Sequence, residues 1–432
     1  MKMQWTGVIA LSLVGIVAGV EASGCSNGSG GVSPDAPSEP DGGVESGVIV
    51  DAGLDSDEVG DGTIPCSPSD FCPTPLPGLP APSLSGIFAA SPNRVVGITD
   101  DGKILLWDGS TWSTLAMGYG KLKTVWGIDA DHFLIAEEKS WSLVRVTFNG
   151  SAVDIGHEDL PYASSCAPAS MSISGKSATD IYVAGYCRFL DLSTYKASYT
   201  GVLFHSTAAD GGIGTDRSWS VLWADGGPTS DVVALGGVYE VSPGEAFVGG
   251  WRSISEQNPV PTTLKSPLSW DPTNPGTITF VLHVKDGTIE KEDLDPSLAM
   301  CVQSIWSSPS TDSVFMGGLC TAINVTDRLS DEPKYTTVAH RARLADGGAE
   351  WTPVVREAYG VFFDLPAMLL GFGDADVYAA GAYVMHWDGS KFQLVDTAIN
   401  NTPLVGRVRG LHGISPRDLW MAGDRFALHR KQ

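Results

Sequence analysis

Basic residues are scarce in this sequence. Lys and Arg together number 27, against 50 Asp and Glu, which gives the 432-residue chain a formal net charge of −23. An electric field of that sign repels phosphate backbones and anionic lipid head groups, so nucleic-acid binding is excluded as a first interpretation. Charged residues of either sign make up only 18% of the chain, and hydrophobic residues make up 43%. This balance excludes both a disordered polymer and a membrane-spanning bundle.

Short catalytic motifs are absent after residue 65. This part of the chain has no Gly-x-Ser-x-Gly nucleophile turn, no phosphate-binding glycine loop and no dinucleotide fingerprint, and it lacks His-Glu-x-x-His and Cys-x-x-Cys metal patterns. Each of these motifs gathers reactive or metal-binding atoms within a few residues. We therefore expect a protein that is not an enzyme and that requires no cofactor or metal.

The N-terminal residues have the pattern of an export signal. A run without charge extends from Met3 to Val20, and small residues precede Cys25 in Ala22-Ser-Gly-Cys25. A single membrane helix is one alternative, because about 18 apolar residues can just span a bilayer. The residues before Cys25 resemble the bacterial lipoprotein signal, in which the cysteine receives the lipid, although Ala22 stands where that signal usually has Leu. We expect a signal peptide over residues 1–24 and lipidation of Cys25, with plain secretion as the other alternative.

Residues 25–65 form a linker without Lys or Arg. Nine acidic side chains lie there among Gly, Ser and Pro. Such a segment repels itself and cannot bury apolar surface, which predicts a disordered acidic tether. Asp55, Asp57 and Asp61 lack the spacing of a calcium-binding loop, so they do not predict a calcium site.

Residues 66–432 contain an internal repeat. Its first phrase has an acidic residue, then a short run of mostly apolar residues, and ends in Gly. The five clear copies are Ile414–Gly423, Phe372–Gly381, Val241–Gly250, Ser177–Gly185 and Ser308–Gly317. Two degenerate copies surround Arg94 and Asp131, which makes seven units.

Each unit continues into a second phrase. It is clearest in Val384–Phe392, which reads Val-Met-His-Trp-Asp-Gly-Ser-Lys-Phe, and in Ile104–Trp112; variants begin at Val202, Val281 and Val338. Alternating apolar residues on both sides of an Asp-Gly turn predict a hairpin, because Gly accepts the positive φ that a tight turn requires. One unit is therefore four short strands.

The two phrases together resemble the β-propeller repeats common in exported bacterial lipoproteins, of the form Trp-Gly…Asp-Val-Trp-Ala-Val-Gly…His-Trp-Asp-Gly-Ser-x-Trp. The turn Asp346-x-Gly348-x-x-Trp351 also looks like the Asp-box of sialidase-type propellers, although Leu344 stands where that motif has Ser. The resemblance covers residues 66–432 and implies an all-β, seven-bladed β-propeller. It implies little about function, because propellers host binding, scaffolding and catalysis alike.

The last unit ends at Gln432 without a fourth strand. Phe71 lies before the first unit at a distance close to that separating Trp112, Trp219 and Trp351 from their following units. An outer strand tolerates the prolines around Phe71, because one of its edges needs no donors. We expect this N-terminal strand to complete the last unit and close the ring.

Repeated polar residues have structural explanations. His205, His283, His340, His386 and His429 occupy one position in five units, so a repeated fold role is favoured over metal binding. The acidic residues of the first phrase are predicted to bond turn backbone rather than to form a carboxylate ring. They are Asp131, Asp180, Glu245, Asp312, Asp376 and Asp418.

Three consecutive units carry insertions after their second strand, at residues 186–200, 251–275 and 321–337. Insertions at the same connection of neighbouring units emerge side by side on one rim of the ring. Their aromatic and cationic residues are candidate anchors for a protein or glycan ligand. These residues are Arg188, Tyr195, Trp251, Arg252, Trp270, Arg328 and Tyr335. The alternative for Trp251 and Trp270 is that they form a small core within the loops.

Six cysteines remain once Cys25 is assigned to the lipid, and an exported chain favours their oxidation. Cys166 and Cys187 flank the first two strands of the third unit, as Cys301 and Cys320 do in the fifth. The start of one antiparallel strand faces the end of the next, which predicts a disulfide in each unit. Cys66 and Cys72 are predicted to close a small loop beside the joining strand.

Taken together, the sequence predicts a lipid-anchored propeller of the bacterial cell envelope, at the outer membrane, that acts as a binding or scaffold module. Its contact with the membrane is through the lipid only. One alternative is a carbohydrate-active enzyme of sialidase-like or lyase type, with arginines or paired carboxylates converging on the central channel. Another is a structural envelope protein without a discrete ligand.

Overall fold

A computed structural model describes residues 65–431, apart from 139, 163–165, 192–195, 209–216, 226–231, 254–276, 299, 312, 319–332, 345, 347, 359–367, 400, 401, 403 and 405. The described residues belong to one compact unit, Ala52–Gln432. The predicted signal peptide, Cys25 and the acidic tether lie outside the described residues. Among the residues that are described, no helix has the length and apolar character needed to cross a membrane.

Within the described ranges, 28 strands form seven four-stranded antiparallel sheets, which we call blades 1 to 7. Blade 1 contains β2 Leu84–Ser91, β3 Arg94–Thr99, β4 Ile104–Trp107 and β5 Trp112–Ala116. Blade 2 contains β6 Leu122–Gly127, β7 His132–Glu137, β8 Ser142–Asn149 and β9 Ala152–Asp159. Blade 3 contains β10 Pro168–Ser177, β11 Asp180–Asp191, β12 Lys196–Ala208 and β13 Arg217–Asp225.

Blade 4 contains β14 Val232–Ser242, β15 Glu245–Ser253, β16 Thr277–Lys285 and β17 Thr288–Asp293. Blade 5 contains β18 Val302–Ser307, β19 Val314–Gly318, β20 Pro333–Arg343 and β21 Ala349–Ala358. Blade 6 contains β22 Met368–Gly373, β23 Asp376–Ala380, β24 Val384–Trp387 and β25 Phe392–Leu394. Blade 7 contains β26 Val408–Ser415, β27 Asp418–Gly423, β28 Phe426–Lys431 and β1 Phe71–Pro73.

The sheets form a closed ring. The first strand of each blade contacts the first strand of the next, and β26 of blade 7 contacts β2 of blade 1. Apolar clusters fill the spaces between neighbouring blades; Tyr182 and Phe280, for example, lie in the cluster between blades 3 and 4. This arrangement confirms the seven-bladed β-propeller predicted from the repeat.

Burial explains the composition of the strands. The second strand of a blade is covered on both faces by its neighbours, and β27 reads Asp-Leu-Trp-Met-Ala-Gly with every residue after Asp418 buried. Outer strands contact solvent, and β17 reads Thr-Ile-Glu-Lys-Glu-Asp with five of its six side chains exposed. A strand buried on both faces is a continuous apolar run, whereas an exposed edge carries charges that discourage pairing with another chain.

The N-terminal strand closes the ring as predicted. Phe71 pairs with Arg430 and Pro73 with Leu428, so β1 is the outer strand of blade 7. The Phe71 side chain is fully buried in the cluster between blades 6 and 7. The missing fourth strand of the last unit is therefore supplied from the other end of the folded domain.

Candidate functional site: the rim of blades 3 to 5

The repeated histidines bind the repeated acidic residues. The Nε2 atom lies 2.5 to 2.8 Å from a carboxylate oxygen in four blades, in the pairs His205–Asp180, His283–Glu245, His386–Asp376 and His429–Asp418. The same histidines lie against the aromatic ring two residues after the acid; the His429 and Trp420 ring centroids are 4.0 Å apart. These pairs connect the second and third strands of a blade, which supports the fold role predicted for the histidines.

The partner of these carboxylates is not visible in the repeat pattern. The expected place of these residues is the turn between the first and second strands, but the four paired ones are the first residues of the second strand. Each accepts a hydrogen bond from a histidine on the third strand, a partner that was not predicted. Blade 5 departs from the pattern, because His340 Nε2 lies 2.7 Å from Ser313 Oγ. Burial lowers the pKa of both His340 and His429. Asp312 lies outside the described residues.

The described first strands of the blades carry few charged side chains that could bind a carboxylate or a metal. Among the described first strands, only β26 carries an arginine, Arg409, and its guanidinium is bound to Asp100 and Asp424. In the described part of the chain, no three His, Cys, Asp or Glu side chains are grouped as metal ligands. The first strands therefore assemble no arginine set of the kind that a sialidase-like site needs for a carboxylate.

The rim is built from extended second and third strands. In blade 3, β11 and β12 stay paired from Asp180–Thr207 out to Asp191–Lys196, well beyond the length of the hairpins in blades 1 and 6. In blade 4, β15 and β16 pair out to Ser253–Thr277. These extensions correspond to the first two predicted insertions. Most of the second and third insertions, residues 254–276 and 319–332, lies outside the described residues.

Aromatic contacts join the extensions of blades 3 and 4. The Trp251 ring centroid lies 5.3 Å from that of Tyr199 and 6.2 Å from that of Tyr186. The Trp251 side chain is only 7% exposed, and Ala234 and Cys301 belong to the same cluster. Neighbouring hairpins thus emerge side by side, and Trp251 acts as their core rather than as an exposed anchor.

The remaining predicted ligand residues are Arg252, which lies on the rim, and five others whose side chains lie outside the described part of the chain. Arg252 lies on the rim, half-buried, with Nη2 2.9 Å from Asp293 Oδ2. Arg188 and Tyr335 lie in β11 and β20, but their side chains are outside the described part. Tyr195, Trp270 and Arg328 lie outside the described residues.

One disulfide lies at the base of the rim and another beside the joining strand. Cys166 and Cys187 are bonded, with Cα atoms 5.6 Å apart, and this bridge ties the segment before β10 to β11 where the extension begins. Cys66 and Cys72 are bonded beside the joining strand β1, with Cα atoms 4.1 Å apart. Cys301 is also disulfide-bonded. Its predicted partner, Cys320, lies outside the described residues.

No protein-family model matches the sequence, and a search among curated proteins finds no relative. Solved structures match at the level of the fold. "YCF48 bound to D1 peptide" has 11% identity and a TM-score of 0.51, covering 84% of this chain and 96% of that chain. YCF48 from Cyanidioschyzon merolae has 14% identity and a TM-score of 0.51, covering 84% and 98%.

A third structure, the β-propeller domain of Cps50 (Swd1) from Myceliophteria thermophila, has 10% identity and a TM-score of 0.50. It covers 84% of this chain and 100% of that chain. Identities this low carry information about architecture but not about ligands. What the chain shares with these proteins is the β-propeller fold.

Proposed function

We propose that this protein is an exported, lipid-anchored β-propeller of the cell envelope that binds a protein partner through the rim of blades 3 to 5. The observation that carries the proposal is the contact between Tyr199 and Trp251, with ring centroids 5.3 Å apart, which joins two extended hairpins into one surface. The extensions project from the ring and pack on each other. The surface that they form is not required to close the propeller, so we assign it to binding.

Preorganisation of the rim favours binding. The Cys166–Cys187 bridge and the buried Trp251 side chain limit the motion of the hairpins before a partner arrives. A surface ordered in advance loses less conformational entropy on association, which improves affinity. One solved propeller of similar fold is bound to a peptide, so the architecture is compatible with a peptide ligand.

A binding role agrees better with the described residues than catalysis does. Arg409, the arginine of the described first strands, is engaged by two aspartates, and the histidines are paired within their blades. A loop-built active site of the carbohydrate-active type would require a second set of polar groups on the rim. Glycan binding is a distinct outcome of the test below, in which no protein adduct forms.

Site-specific photocrosslinking in cells tests the proposal. A photoreactive amino acid replaces Thr200 or Arg252 on the rim, and Ser110 or Ser390 in the turns between the third and fourth strands serves as the control, because these turns lie at the opposite ends of the strands. We expect a discrete protein adduct from the two rim positions and none from the two turn positions. Adducts of equal yield at all four positions, or none at the rim, would contradict a protein-binding rim.

A further inference from the structure

One position of the propeller holds a small residue in six of the seven blades. It lies near the end of the first strand and pairs with the first or second residue of the second strand; Gly371 pairs with Val377, for example. The seven equivalent residues are Ala89, Gly127, Gly175, Glu240, Ser307, Gly371 and Gly413. Blade 4 is the exception, because its residue is Glu240.

The small residues leave room for a ring from the preceding blade. A Cβ atom added at Gly127 or Gly175 would lie 2.5 Å from the Phe88 ring or 2.8 Å from the Trp126 ring, closer than real atoms approach. Each ring belongs to the residue just before the small position in its own blade. The interface between two blades therefore needs one large side chain and one small one.

The interface between blades 3 and 4 exchanges these roles. Blade 3 has Ser174 where blades 1 and 2 have Phe88 and Trp126, and blade 4 has Glu240 as the facing residue. The backbone N–H of Glu240 donates to Ser174 Oγ at 2.9 Å. Glu240 is fully buried, so its carboxyl group fills the space that a ring fills elsewhere.

The Glu240 carboxyl group has too few donors for a charge. The backbone N–H of Lys176 donates to Oε2, whereas Oε1 is buried without a donor. The Asp180 carboxyl group of blade 3 faces the same interface, where it reaches the turn of blade 4 at Gly244. Asp180 is itself an acceptor, for His205 Nε2 at 2.5 Å and for the backbone N–H of Gly244 at 2.6 Å.

Two carboxyl groups form a hydrogen bond only when one of them carries a proton. Burial, followed by the charge and hydrogen bond of Asp180, raises the pKa of Glu240 to about 8. The Lys176 ammonium opposes this shift, but its Nζ atom is directed to Tyr239, 3.4 Å from the hydroxyl oxygen.

Other charged and titratable groups surround this pair of carboxyl groups. The Tyr182 ring is stacked on His205, with centroids 4.4 Å apart, and burial and then the charges of Asp180, Glu240 and Asp286 raise the pKa of its hydroxyl. In blade 4, Glu245 is bound to His283. The acidic groups around Glu240 therefore outweigh Lys176, and this excess of negative charge favours the protonated, neutral form of the Glu240 carboxyl group.

We propose that the interface between blades 3 and 4 is a proton-dependent joint, in which one proton shared by Glu240 and Asp180 keeps the two blades packed and its loss loosens them. These are the blades whose extensions meet at Tyr199 and Trp251. At three other interfaces Gly127, Gly175 and Gly371 face rings rather than a carboxyl group.

The sign of the pH dependence follows from the raised pKa. Glu240 in the folded chain holds its proton to about pH 8, whereas in the unfolded chain it loses the proton near the ordinary value of 4.5. Its contribution to stability is thus complete below pH 4.5, falls as the pH rises toward 8, and is absent above that pH. The unfolding equilibrium constant of the wild type should rise by about tenfold per pH unit in this window from this group alone.

Glu240→Gln separates this effect from other titrations. The amide has nearly the same volume and donates to Asp180 without an added proton. Urea unfolding of the full chain, measured from pH 6 to 9, compares it with wild type and with the control Glu292→Gln, which alters an exposed carboxylate of the same blade on β17. Between pH 6 and 8 we expect the folding equilibrium constant of the wild type to fall by about tenfold per pH unit relative to Glu240→Gln, and Glu292→Gln to keep the wild-type slope. Parallel curves for wild type and Glu240→Gln would overturn the proposal.

Hydrogen exchange of the wild type gives a second test that needs no variant. After correction for the intrinsic effect of pH, the amides of Lys176, Glu240 and Gly244 should lose protection between pH 7 and 9. The amides of Gly127 and Gly371, at the equivalent position of other interfaces, should keep theirs. Equal changes in both groups would overturn the joint even if Glu240→Gln failed to fold.

Discussion

Thr74 donates two hydrogen bonds, from its backbone N–H and its Oγ1, to the carbonyl oxygen of Ala427, 353 positions later in the chain. The Oγ1 atom also accepts from Trp112 Nε1 at 3.0 Å, which links this pair to blade 1. The two ends of the folded domain are therefore joined by backbone pairing, by side-chain hydrogen bonds and by the burial of Phe71.

Removing this join should destabilise the whole ring. Phe71→Ala is expected to cost roughly 3–5 kcal/mol in the free energy of unfolding, because a fully buried aromatic ring is lost and a cavity remains. Deleting residues 66–78 should lower the melting temperature further, since it leaves the edge of β28 unpaired. Thermal unfolding followed by circular dichroism measures both. The control Leu79→Ala changes a side chain that is 95% exposed and should leave the melting temperature unchanged. Wild-type stability in the deletion variant would show that the join is dispensable.

Membrane association should depend on Cys25. If this residue carries the lipid, Cys25→Ser will release the protein into the soluble fraction, because the remaining chain has an acidic tether and a net negative charge that anionic membranes repel. Fractionation of cells and immunoblotting measure the distribution. Retention of the variant in the membrane fraction would contradict lipid anchoring.

Peptide mapping without reduction should yield three bridged pairs, Cys66–Cys72, Cys166–Cys187 and Cys301–Cys320. Each of the two longer bridges closes a loop of about 20 residues and is expected to contribute roughly 3 kcal/mol in the chain-entropy account. Cys166→Ser with Cys187→Ser should therefore lower stability and increase hydrogen exchange of the rim. A linkage between blades, such as Cys187–Cys301, would contradict the pairing.

Acid should destabilise the fold through His412. Burial lowers the pKa of this histidine to about 4, and its Nδ1 accepts from the backbone N–H of Ala89 at 3.1 Å. The unfolded chain takes up the proton near pH 6.5 and the folded chain only near pH 4, so stability falls as the pH drops between these values, by up to about 3 kcal/mol.

His412→Asn tests this prediction. Asn keeps an acceptor for the Ala89 N–H but does not titrate, so the loss of stability between pH 6.5 and 4.5 should be smaller than in wild type. Urea unfolding at several pH values measures the difference. The control His157→Asn lies on the outer strand β9 and should keep the wild-type acid dependence. An undiminished acid slope in His412→Asn would contradict the assignment.

Local and periodic features of the sequence predicted most of the architecture. The Asp-Gly turns recur because each blade needs the same hairpin, and Gly109 and Gly389 have φ values of 101° and 94°. The repeat count gave seven blades, and the aromatic position before the first unit identified Phe71 as the closing strand. These predictions succeeded because a propeller repeats one structural unit seven times. The same sequence pattern therefore recurs, and clear copies help to identify degenerate ones.

Side-chain partners and burial required the tertiary structure. In the sequence His205 and Asp180 are two separate repeated residues, 25 positions apart. Only the pairing of β11 with β12 brings their side chains together. Trp251 is of a residue type that often anchors ligands, yet Tyr199 of the neighbouring blade packs against it and buries it.

The exchange of Ser174 and Glu240 was invisible for the same reason. Neither residue stands out within its own repeat. The role of each depends on the side chain that faces it across the interface between the blades. The sequence by itself thus determined which strands form and how many blades they make, because period and turn chemistry are local. The tertiary structure decided which side chains are exposed, paired or protonated, because those properties arise from contacts between residues that the chain order keeps apart.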